Sequence, residues 1–155
     1  MSRRFSDLDK QTLTHGRVTG TPVSSSDMTN KSYVDKKRTI ELCLNGSTAL
    51  TTDDEVYARI PSHMAGARLV EVAACCKTPG STSGDVTLTL SLNGTSMLTT
   101  DITIDEGETD SSTAATPAVI DSTNRIVAEG DQLVAACSGA GADVLFCVVQ
   151  ATFGV

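Results

Sequence analysis

"DVTLTLSLNGTSML", Asp85 to Leu98, is the stretch from which the fold can be read. Val86, Leu88, Leu90 and Leu92 fall on one side of an extended chain, and Thr87, Thr89 and Ser91 fall on the other. A period of two belongs to a strand with one face in a core and one in water. Asn93-Gly94 follows at once, and both residue types accept the positive φ angles of a type I′ turn. The chain is therefore expected to return through Thr95 to Leu98 as the second arm of a tight hairpin.

Other strands follow outward from this one. "TIELCLN" (39–45) alternates Ile40, Leu42 and Leu44, and "DITID" (101–105) alternates Ile102 and Ile104. "EVYARIP" (55–61) is short. "ARLVEVAACCK" (67–77) is a more continuous apolar run, which predicts burial on both faces. "NRIVAEG" (124–130), "DQLVAACS" (131–138) and "ADVLFCVVQATFGV" (142–155) bring the count to about eight. "TPGSTSG", "DEGETDSSTAATP", "EGD" and "SGAGAD" supply turns between them. Short strands at this spacing predict an all-β, antiparallel β-sandwich over residues 38–155, a jelly roll of about eight strands, with a partly open barrel as the alternative.

Residues 1–37 read differently, as an extended N-terminal arm. "VTGTPVSSSDMTNKSYVDKKR" (18–38) is polar, and Met28, Tyr33 and Val34 are the anchors of any helical turn in "MTNKSYVDKK". That is too little apolar surface for an independent fold. Charge changes at the same place. Residues 1–38 hold eight Lys and Arg against four Asp, a net +4. Residues 39–155 hold four cations against fifteen acids, a net −11. An acidic body repels phosphates, so direct nucleic-acid binding is not expected. The cationic arm suits an acidic protein surface, with Arg3, Arg4, Phe5, Leu8, Arg17 and Tyr33 as anchors and Lys36, Lys37 and Arg38 meeting acidic patches.

The composition also bears on assembly and compartment. With no Trp, three Phe and two Tyr, the core must rest on Val, Leu, Ile, Ala and Cys, and oligomerisation would bury more of it. No stretch has the length of a membrane span, and no apolar run follows Arg3 and Arg4 as a secretory leader would require. The five cysteines (Cys43, Cys75, Cys76, Cys137 and Cys147) form no C-x-x-C pair and sit in apolar runs. They are expected to be buried and reduced, as in a reducing cytoplasm, without zinc.

Nothing in the chain has the pattern of a catalytic centre. His15 lies in the arm and His63 follows Pro61 in a loop, neither beside a partner. The acidic runs "TTDDE" (51–55) and "DEGETD" (105–110) lack the spacing of a calcium loop and read as solvated turns. No phosphate loop, G-x-S-x-G or H-E-x-x-H occurs. No catalytic residue, cofactor or metal is expected, and the chain is not read as an enzyme.

Two segments resemble tailed-bacteriophage virion proteins. "GTPVSSSDMTNKSYVD" (20–35) is similar to a G-x-P-x-x-x-x-D-x-x-N-K-x-Y-V-D element near the start of phage tail-fibre and related appendage proteins, matching at Pro22, Asp27, Asn30, Lys31, Tyr33, Val34 and Asp35. Residues 58–120 resemble a small β-domain of phage fibres and head appendages. The match lies at Arg59 to Pro61, in the Val86 to Leu98 hairpin, and in "IDEGETDSSTAATPAVI" (104–120). The resemblance implies a homotrimeric capsid decoration (cement) or short head-fibre protein that docks on the major capsid protein or another virion protein. The alternative is a tail-fibre or baseplate component of host adsorption. A tail fibre usually carries a long shaft, whereas here the arm meets the β-domain almost directly, which favours the capsid surface.

Overall fold

The structure, a computed structural model, describes residues 13–14, 17–18, 37–79, 84–140 and 143–154. Its internal contacts divide the chain into Met1–Lys36 and Lys37–Val155. In the first unit, strands β1 (Leu13–Thr14) and β2 (Arg17–Val18) pair antiparallel, with Leu13 opposite Val18 and Thr14 opposite Arg17. The rest of the expected arm lies outside the described residues.

The second unit is all-β, with every strand pair antiparallel. Its ten described strands are β3 (Arg38–Ala49), β4 (Glu55–Arg59), β5 (Arg68–Thr78), β6 (Val86–Leu92), β7 (Thr95–Ser96), β8 (Leu98–Thr100), β9 (Ile102–Ile104), β10 (Val119–Ile120), β11 (Gln132–Gly139) and β12 (Leu145–Gly154). One sheet runs β3-β12-β5. The other runs β4-β11-β6-β7, with β9 also on β6, and β8 pairs with β10. The edge of β5 is continued by Arg68 bridging Ile126, with the Leu69 amide donating to the Arg125 carbonyl at 2.8 Å.

The hairpin forms as its sequence predicts. β6 alternates buried and half-buried residues along its whole length. Leu92 stands opposite Thr95 across a two-residue loop, with Asn93 at φ 51° and Gly94 at φ 83°, both positive as a type I′ turn requires. Asn93 also ties the turn to β11: its side chain accepts from the Gln132 amide at 2.9 Å and donates to Asp131 at 2.8 Å. The returning arm is shorter than expected. Ser96 Oγ accepts from the Leu98 amide at 3.0 Å and donates to the Leu98 carbonyl at 2.8 Å, and the chain turns away to pair β8 with β10. A short polar side chain thus competes with the ladder for backbone groups.

Both sheets feed one core. Leu88 and Leu90 from β6, Leu133 and Ala135 from β11, Leu69 from β5, and Val149, Ala151 and Phe153 from β12 are all fully buried. Each large apolar side chain buried this way contributes about 1.5–3 kcal/mol. Every buried side chain of the described core comes from residues 42–153.

Three expectations need correction. β5 is not buried on both faces: Val70, Glu71, Cys75 and Lys77 are exposed, because nothing covers the outer side of its sheet among the described residues. The cysteines are not all core residues. Cys76, Cys137 and Cys147 are buried, but Cys43 and Cys75 are exposed. Adjacent residues of a strand point to opposite faces, so Cys75 and Cys76 cannot both face inward. Finally, "NRIVAEG" is not a full strand. Ile126 makes a single bridge, and Asp131 then folds the chain by accepting from the Ala128 amide at 2.7 Å, with Gly130 at φ 84°.

Candidate interaction surfaces

The two sheets present different outer faces. On β4-β11-β6 the outward side chains are Glu55, Tyr57 and Arg59, then Gln132, Val134 and Ala136, then Thr87, Thr89 and Ser91. Near the β4 edge this face holds an open depression of about 370 Å³ lined by Tyr57, Ala58, Arg59, Gly130 and Gln132. Tyr57 is 52% exposed. Its hydroxyl donates to Glu55, which orients the ring and raises the phenol's pKa, with burial a smaller cause in the same direction. The Arg59 guanidinium lies over Gly130, where an added Cβ would meet it at 3.1 Å. An aromatic ring beside a guanidinium and a primary amide can stack on a ligand and donate to it.

On β3-β12-β5 the outward residues are Thr39, Glu41 and Cys43, then Phe146, Val148, Gln150 and Thr152, then Glu71, Ala73, Cys75 and Lys77. Thr39 and Thr152 share a hydrogen bond at 3.0 Å, and Gln150 donates to Glu41 at 3.1 Å. Cys43, Val148 and Cys75 stand in one row across the three strands. Two strand spacings, about 9.6 Å, separate the two cysteines, which is beyond the reach of a disulfide.

The two long edges of this sheet also differ. The far edge of β5 is covered by the loop after β9. The Cys76 amide donates to the Thr109 carbonyl at 2.8 Å, the Ala74 amide donates to Ser111 Oγ at 2.8 Å, and Cys75 bridges Asp110. Among the described residues, no backbone hydrogen bond reaches the far edge of β3 between Arg38 and Leu44. An uncovered edge of that length is a template for another strand or chain.

The residues assigned to docking in the sequence are distributed as follows. Arg3, Arg4, Phe5, Leu8, Tyr33 and Lys36 lie outside the described residues. Arg17 stands in β2 opposite Thr14. Lys37 pairs with Glu71 at 3.4 Å, both side chains being well exposed. Such a pair contributes little, about 0–1 kcal/mol, and yields readily to a partner. Arg38 donates from Nη1 to the His63 carbonyl at 2.6 Å, so its guanidinium serves its own domain.

The acidic runs turn out to be loop architecture. Asp54 accepts from the Thr51 amide at 2.7 Å, Asp85 from Glu106 at 3.0 Å and Asp105 from Ala115 at 2.8 Å. Asp110 caps the turn Ser111–Thr113 by accepting from the Ser112 amide at 2.7 Å, and Glu108 accepts from Thr113 Oγ1. Hydrogen bonds from Ser112 lower the Asp110 pKa, bonds from Thr123 lower that of Asp121, and bonds from Ala128 and then Asn93 lower that of Asp131. Among the described residues, no three His, Cys, Asp or Glu side chains converge as a metal site would need. The thiol chemistry is equally muted. Burial pushes Cys147 up to about 12 and also raises Cys76 and Cys137, which keeps these thiols protonated and poor nucleophiles.

Comparison with protein-family models, curated proteins and solved structures finds no match for this chain.

Proposed function

We propose that the protein is a bacteriophage virion structural protein: a homotrimeric capsid decoration or short head-fibre protein. It docks on the major capsid protein through its N-terminal arm and stabilises the shell. The observation that carries this reading is the way the strands nest. Counting strand-like segments from either end of the second unit, first pairs with last (β3 with β12) and second with second-last (β4 with β11). Third meets third-last (β5 with the Ile126 segment), and β6 meets the strands that directly follow it. This nesting supports reading the domain as a jelly roll, an architecture of viral capsid and lectin domains. A rigid roll with acidic loops at its surface, joined to a cationic leader, suits a module held on a larger assembly by its leader. The partners are then other copies of the chain and a shell protein, in the virion, with assembly in the bacterial cytoplasm.

The test uses phage particles that lack the protein. Adding it back is expected to raise the temperature at which they release DNA. Unchanged release with lost adsorption would instead support a tail-fibre or baseplate role. That second reading draws on the Tyr57, Arg59 and Gln132 depression, whose exposed ring and donors suit a small polar ligand on a host surface.

A further inference from the structure

We propose that the outer face of the β3-β12-β5 sheet, centred on Cys43, Val148, Cys75 and Phe146, is where a second copy of this chain packs. The inference rests on the oligomeric reading above and adds the surface that would make the oligomer.

Four observations converge on this face. The first is its chemistry. The outward row of β6, on the other sheet, is Thr87, Thr89 and Ser91, as water requires. Across this sheet the middle row holds two thiols and a valine in register, with Ala73 one row away on β5, whereas the matching row of the other sheet, Tyr57, Val134 and Ser91, carries a hydroxyl at each end. A contiguous apolar row with few polar groups loses little by being taken out of water against a partner.

The second is charge. Lys37–Val155 carries fifteen acids and six Lys and Arg. On this face Glu41 and Glu71 are balanced by Lys37 and Lys77, leaving thirteen acids and four cations elsewhere. Two strongly acidic bodies repel each other on most approaches. Across this neutral face they can meet, and its mixed signs let one copy complement another. The balance also selects the occupant. A nucleic acid would need net positive charge, whereas a second copy needs both signs.

The third is Phe146. It is 40% exposed and sits at φ 54°, in the left-handed region that bulky side chains avoid. It stands level with Lys77 of β5, since Leu145 pairs with Thr78 and Cys147 with Cys76, and it lies at a register shift against β3, where Leu145 pairs with Ala49 and Cys147 with Leu44. The fold thus tolerates backbone strain while holding an aromatic ring out in water. Strain of this sort persists where a binding contact uses the residue.

The fourth is the edge of β3 that borders the face, which has no backbone partner among the described residues from Arg38 to Leu44. A copy laid across the face also reaches the backbone groups of this edge.

The chain carries its own reporters, because two of its five thiols lie in the proposed contact. The test is native mass spectrometry and analytical ultracentrifugation of the full chain, combined with N-ethylmaleimide labelling mapped by peptide mass. The oligomer is expected to protect Cys43 and Cys75 at least tenfold relative to monomer obtained by dilution. Val148→Glu is expected to give a folded monomer, by circular dichroism and melting, in which both thiols label. Val134→Glu, the matching change on the other sheet, should leave the oligomer intact. Should Val148→Glu fail to fold, Cys43→Arg, at the strand edge, is the second probe, expected to give a folded monomer in which the remaining exposed thiol, Cys75, labels. An oligomer whose Cys43 and Cys75 label as fast as in monomer overturns the face while leaving oligomerisation standing. A chain that stays monomeric at every concentration overturns both. Particle binding by the Val148→Glu monomer would show that shell docking survives without this contact, so the two readings fail separately.

Discussion

β3 and β5 flank the same central strand, β12, and pair with it in the same antiparallel sense, yet they end differently. The outer edge of β5 is covered by Thr109, Asp110, the Ser111 side chain, Arg125 and Ile126, whereas that of β3 has no backbone partner among the described residues from Arg38 to Leu44. Both strands turn one cysteine outward at the same level of the sheet. The contrast teaches that, among the described residues, a long loop seals one edge of this sheet and none seals the other. Solvation alone would treat the two edges alike. The proposed assembly surface on the β3 side would account for the asymmetry.

The largest expected effect tests whether β3 has the two-sided character this comparison needs. Leu42 is 2% exposed and Cys43 is exposed, so neighbouring alanine substitutions should diverge sharply. Leu42→Ala should destabilise by about 2–5 kcal/mol in urea unfolding, and Cys43→Ala by less than about 0.5 kcal/mol in the monomer. Equal losses would mean that β3 has no free face.

The seal on β5 is the next target. Ser111→Ala removes the acceptor for the Ala74 amide and leaves a part-buried donor unpaired, at a cost of about 1–3 kcal/mol. A thermal midpoint within error of the parent would show that the loop does not hold that edge. Thiol labelling gives a sharper but smaller signal. In the monomer two thiols should label quickly, and unfolding should add the three that burial keeps protonated and inaccessible. Three or more fast labels in folded monomer would break the assignment of faces.

The smallest effect is in pH. Asp110 has a lowered pKa in the folded loop, from hydrogen bonds donated by Ser112. A lowered folded value means its contribution is complete above the ordinary carboxylate range and is lost as pH falls through the folded value. Amide exchange at Ala74 and Cys76, corrected for its intrinsic pH dependence, should therefore lose protection below about pH 4. In Asp110→Asn the part of that loss due to Asp110 should disappear. An unchanged profile in that variant would remove Asp110 from the seal.

What the sequence disclosed follows from how local the signals are. The hairpin at Asn93-Gly94 was legible because alternation and turn chemistry lie within fourteen residues. The outward cysteines were harder to read, since in "EVAACCK" only Glu71 and Lys77, at the two ends, mark the face that Cys75 shares. "DEGETDSSTAATP" reads as a solvated acidic turn, but its work of covering β5 depends on a strand some thirty residues earlier. The same holds for the depression, which joins Tyr57 and Arg59 to Gln132 through the pairing of β4 with β11. The nesting of first strand with last is likewise a long-range property.

The central claim is that a compact β-domain is held on a larger shell by its cationic leader. Co-sedimentation with particles lacking the protein tests it most directly, comparing the full chain with Lys37–Val155 shown to be folded by circular dichroism. The account predicts that the full chain pellets with the particles, that added salt weakens this, and that the shortened chain stays in the supernatant. Equal pelleting of both chains would contradict it.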